Sequence, residues 1–67
     1  MTRTEAIGRG LRAIREEFGV DIGDVANELG VLISEIDERE RGECSMSRSQ
    51  ICAQMDALRG LLAWRVS

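Results

Sequence analysis

The sequence predicts an all-α fold, a compact bundle of four to five short helices. Three observations carry that expectation. Apolar residues recur at steps of three and four, as in Ile7, Leu11, Ile14 and Phe18 and again in Ile51, Met55, Leu58 and Leu62. That spacing lines one face of a helix. Helix-start residues open most of these segments and single glycines close the first three. The 67 residues contain no repeat, low-complexity stretch or linker, so positions 1–67 form one domain. A core this small is marginal, and many such domains gain stability by dimerising.

The first helix is expected from about Thr4 to Phe18, with Thr2 and Glu5 at capping-box spacing and Gly19 as a left-handed cap. Gly8 and Gly10 lower its helix propensity, so its first turns are expected to fray. A second helix starts at Asp21 as N-cap, stapled by Val20 and Val25, with Val25, Ala26 and Leu29 facing inward. Gly30 closes it, because a residue without Cβ permits positive φ and a sharp turn.

The third helix has an ambiguous start. Val31 and Ile36 have the pattern of buried positions, but Leu32, where the N-cap would fall, has no side-chain acceptor. Ser34, with Asp37 three residues on, is the better local signal and implies a start two residues later after a longer turn. The helix ends near Glu40 or Arg41, with Gly42 as its cap. After a loop from Glu43 to Ser47, a fourth helix opens on a Ser47–Gln50 capping box stapled by Met46 and Ile51. Leu61 and Trp64 lie beside its apolar stripe. They fit two roles equally, packing on the domain's own core or anchoring a two-fold dimer. Two short helices joined at a glycine turn, Asp21 to Gly42, are the skeleton of a helix-turn-helix.

These residues carry a likeness. Leu11 and Arg15, Gly19, Val25-Ala26, Leu29-Gly30-Val31, Ile36 and Glu40-Arg41-Gly42 together resemble the phage-repressor-like, Cro-type helix-turn-helix family. The match covers about Ile7 to Leu58, most of the chain. The resemblance implies that Arg15 pairs with Glu40 and braces the first helix against the end of the third. It also implies that Ile33, Ser34 and Glu38, with Glu35 nearby, face DNA bases, while Ile22 and Arg41 sit at phosphate-contacting positions. Departures fall mainly on that face. The family usually has glutamine at Ile22, serine or threonine at Leu32, a polar or basic residue at Ile33, and an apolar or aromatic residue at Arg39.

Charge runs against the skeleton. Every basic residue is arginine, and the net charge is −3. Residues 1–15 carry +3, residues 16–43 carry −8, and residues 44–67 carry +2. A nucleic-acid reader normally has a basic reading surface. Glu35, Asp37, Glu38 and Glu40 fall within one short stretch. Each acid held about 6–7 Å from a phosphate is repelled by roughly 2–3 kcal/mol at an effective dielectric near 20. Arginines such as Arg9, Arg12, Arg41 and Arg48 could touch the backbone, and Ile33 could meet a thymine methyl.

Two functional expectations follow. The skeleton implies a small transcriptional regulator binding operator DNA as a dimer. The acidic block, with an apolar cluster of Ile22, Leu32 and Ile33, implies a repurposed scaffold that captures a protein regulator. Such a scaffold would be an anti-activator or anti-repressor mimicking the charge of DNA.

Other classes are disfavoured. There is no histidine and no paired nucleophile and base, so an enzyme, a small-molecule substrate or a cofactor is not expected. Acid pairs such as Glu16-Glu17 read as solvated helix faces. Cys44 and Cys52 have neither redox-pair nor zinc-site spacing, and read as reduced thiols, with Cys52 packed on a helix. No apolar run approaches a membrane span, and the N-terminal segment lacks the apolar stretch of a signal peptide. The expected location is the cytoplasm.

Overall fold

The computed structural model describes residues 1–66, with side chains described as far as residue 63. Four helices lie among them: α1 (Arg3–Glu17), α2 (Ile22–Leu29), α3 (Ile33–Glu40) and α4 (Arg48–Val66). There is no fifth helix among the described residues. No helix there is long and apolar enough to cross a membrane.

Helix α1 opens on a full capping box. The Thr2 hydroxyl accepts from the Glu5 amide at 3.1 Å, and the Glu5 carboxylate accepts from the Thr2 amide at 3.4 Å. Leu11 is buried and Ile7 and Ile14 are half-buried. Phe18, expected to complete the stripe, is instead 50% exposed. It sits at the helix end, where the chain turns away through Gly19 at φ 66°. Gly19 donates to the Glu16 carbonyl, and Val20 donates to the Arg15 carbonyl. This crossed pair of bonds satisfies the last carbonyls and turns buried Val20 into the core.

Helices α2 and α3 are joined by Gly30, Val31 and Leu32 alone. Gly30 adopts φ 69° and donates to the Asn27 carbonyl, while Val31 donates to Ala26. The later start expected for α3 at Ser34 does not occur. Leu32 takes the extended N-cap conformation without any side-chain cap, and α3 begins at Ile33. Tertiary packing decides this: the start at Ile33 presents Ile36 to the core, where it is fully buried.

The core gathers Val20, Val25, Ala26, Ile36 and Leu58, with Ile14, Ile22, Leu29, Val31, Leu61 and Leu62 packed around it. Burying a side chain such as Ile36 or Val25 contributes about 1.5–3 kcal/mol. Helix α2 packs on both α3 and α4, while α1 leans on α3. The contact between α1 and α3 explains Gly8, which is buried. A methyl group there would overlap the Arg39 carbonyl oxygen and stand 2.8 Å from that of Glu40. Gly8 is thus a site of close backbone approach, which the fraying expected from its propensity did not anticipate.

Helix α4 carries the expected box, with the Ser47 hydroxyl accepting from the Gln50 amide at 3.1 Å and Gln50 Oε1 accepting from the Ser47 amide at 2.9 Å. Its inner face holds a polar residue the apolar stripe hides: Gln54 is only 1% exposed, and its Oε1 accepts weakly from Arg39 at 3.4 Å. Both cysteines are free thiols. Cys52 is exposed, not packed on the helix as expected, because it lies off the inward face that carries Leu58.

Candidate functional site

Arg15 and Glu40 hold α1 against the end of α3. Arg15 Nε donates to Glu40 Oε2 at 2.8 Å and Nη2 donates to Oε1 at 3.0 Å, a two-pronged pair. The third arm, Nη1, donates to the Val20 carbonyl at 2.9 Å. Glu40 is buried and Arg15 nearly so. The bond to Glu40 raises the Arg15 pKa; burial opposes the rise but does not cancel it. Among the described residues no buried side-chain nitrogen or oxygen lacks a hydrogen-bond partner. The pair therefore fixes the angle at which α3 leaves the core.

With Ile36 and Glu40 turned inward, the opposite side of α3 faces solvent. Leu32 is 67% exposed and Ile33 54% exposed. Ser34, Glu35 and Glu38 are exposed beside them. Among the described residues neither Glu35 nor Glu38 has an ion-pair partner. Arg41 is tied to Asp37 at 2.8 Å and lies 3.5 Å from Glu43, so its charge is already met by acids.

Beside Leu32 and Ile33 runs a shallow groove of about 510 Å³, walled by Gly23, Ala26, Asn27 and Val31. The Ile33 Cδ1 atom reaches over Gly23, where a Cβ would sit 3.8 Å away. That is ordinary van der Waals contact, so a methyl group at Gly23 would be tolerated beneath Ile33. Ile22 is not part of this groove. It is half-buried against the core, so the three-residue apolar cluster expected at the mouth reduces to Leu32 and Ile33. Leu61 likewise packs against the domain's own core. Trp64, the other residue considered for a dimer contact, has a side chain outside the described ones.

The helix starts differ in how they are capped. In α1 and α4 a capping box engages the N-cap amide and the third helical amide, those of Thr2 and Glu5 and of Ser47 and Gln50. Neither α2 nor α3 has a side-chain cap, although Asp21 stands at the N-cap of α2. Their third amides donate instead to the N-cap carbonyls, Asp24 to Asp21 and Glu35 to Leu32, which leaves the first two amides of each helix to an external acceptor. Around the start of α3 the adjoining side chains are Leu32, Ile33 and Ser34, followed by the acid Glu35. Around α2 the neighbours are Asp21 and Asp24.

Comparison with known proteins returns no matching family model, no matching curated protein and no matching solved structure.

Proposed function

We propose that the chain is a small helix-turn-helix transcriptional regulator that binds operator DNA as a dimer, with α3 as the reading helix. The observation that carries this reading is the exposed start of α3, without a side-chain cap and with no charge before Glu35, delivered by a three-residue turn from α2. Open amides at a helix start donate to phosphate oxygens or to acceptors on base edges. Leu32 and Ile33 offer methyl groups to thymine, Ser34 a hydroxyl, and Glu35 or Glu38 an acceptor for the cytosine amino group. A phosphate at the start of α2 would bond to the backbone amides of Ile22 and Gly23, so the apolar side chain at Ile22 does not forbid it. Fold alone does not carry function, and the proposal rests on this surface.

A second reading is favoured by the exposed acids Glu35 and Glu38 beside an apolar groove. That surface suits a protein partner that is basic and partly apolar, such as the DNA-binding face of another regulator. One pair of substitutions separates the readings. Fluorescence anisotropy on duplexes from the gene's own upstream region, at low salt, is expected to give saturable binding at or below micromolar protein. Glu35→Lys with Glu38→Lys should then raise nonspecific affinity by removing repulsion from phosphates. No binding by the parent chain, with partner capture lost in the same double variant, would replace the DNA reading with the protein one.

A further inference from the structure

The amino-terminal turns of α1 and α4, with the loop before α4, line a cleft of about 430 Å³. We propose that this cleft binds a small amphiphilic carboxylate, as a ligand and not as a substrate. Its floor is apolar, formed by Ile7, Met46 and Ile51, all half-buried. Its exposed rim carries Arg3 and Arg48, and half-buried Thr4 also lines it. The size lies within the range of small-molecule sites, which combine apolar walls with a few polar groups.

The two arginines are the telling feature. Each is the first residue of its helix, Arg3 of α1 and Arg48 of α4. A cation is disfavoured at that end, where the helix dipole is already positive. Neither has an acidic partner among the described residues. The one acid in the first turn of α1, Glu5, is turned to the Thr2 amide and hydroxyl, and α4 has none in its first turn. Two helix starts and two unpaired guanidinium groups thus focus positive potential on one rim of an apolar cleft. A carboxylate would meet both arginines while its hydrocarbon lay on the floor. A bare phosphate would leave that floor unused, which is why the ligand is taken to be amphiphilic. The cleft shares no lining residue with the groove at Leu32 and Ile33.

Cys52 lines the cleft as an exposed free thiol, and Cys44, half-buried elsewhere, serves as an internal reference. The test is the rate of iodoacetamide alkylation at each cysteine, followed by mass spectrometry, with decanoate below its micellar concentration. Decanoate is expected to slow Cys52 alkylation severalfold relative to Cys44, while decanol and inorganic phosphate leave the ratio unchanged. Arg3→Gln with Arg48→Gln is expected to weaken the protection about tenfold in decanoate concentration, since two charge-assisted contacts are removed. Both side chains are exposed, and an unchanged thermal melt will show that the double variant is folded. No protection by decanoate, equal protection by decanol or by phosphate, or protection that survives in the folded double variant would overturn the proposal.

Discussion

Gly8 and Glu40 act at one place, where α1 crosses the end of α3. A Cβ at Gly8 would meet backbone carbonyls that no rotamer change can move. Gly8→Ala, which helix propensity alone favours, is therefore expected to destabilise by about 1–3 kcal/mol, as overpacking does. For a domain of this size that lowers Tm by roughly 5–20 °C in a thermal melt. An unchanged or higher Tm would refute the close approach. Glu40→Ala strands the Arg15 guanidinium and should cost about 3–5 kcal/mol, against a total of about 3–10 kcal/mol for a chain of this length. Urea denaturation measures it directly.

The contrast at the same scale is Arg12, whose Nε bonds exposed Glu16 at 2.6 Å. That bond lowers the Glu16 pKa, so its stabilising effect is present above the ordinary carboxylate range and lost as pH falls through the lowered value. Both side chains are solvated, and Arg12→Ala is expected to leave Tm nearly unchanged at neutral pH. The likeness to a known family pointed to Arg15 and Glu40. Nothing local pointed to Gly8 or to buried Gln54, because each is defined by what another helix brings to it.

At the scale of the element, helices with strong local signals begin where their capping boxes stand. Thr2 with Glu5 and Ser47 with Gln50 are self-contained, since both partners lie on one turn. Helix α3 is the exception. Ser34 offered a local cap, yet the helix starts at Ile33 because burial of Ile36 outweighs one capping bond. A core isoleucine contributes about 1.5–3 kcal/mol, while a cap contributes typically about 1. The same comparison predicts an improvement. Leu32→Thr places a hydroxyl at the N-cap and removes a mostly exposed leucine, so it should add about 0.5–1 kcal/mol and raise Tm by a few degrees. If α3 reads DNA through this end, the same substitution should weaken operator binding while it stabilises the fold. A variant that is no more stable than the parent would mean that Leu32 contributes packing its exposure conceals.

At the scale of the molecule, the core is small and one outward face carries two exposed aliphatic side chains. The proposed dimer makes a direct prediction: Tm should rise with protein concentration, and sedimentation should show a monomer–dimer equilibrium, since association stabilises only the folded state. A concentration-independent Tm and a monomer throughout would remove the dimer from the proposal. The uneven charge is also a whole-molecule property. Arg41 stands among acids that satisfy it, so DNA must compete for it, whereas Arg3 and Arg48 have no acidic partner among the described residues. The run of signs along the chain told how much charge each segment holds, but not which charges meet.

The sequence by itself determined the helical class, the closing glycines and the two capping boxes, because each depends on residues within one or two turns of each other. Periodicity also identified most of the core. Only the tertiary structure decided that Gly8 is a contact point and that Ile22 turns inward while Leu32 and Ile33 stay out. It alone brought Arg3 and Arg48 to one cleft. These features are set by which helix leans on which, and residues far apart in the chain carry no local record of the distance between them.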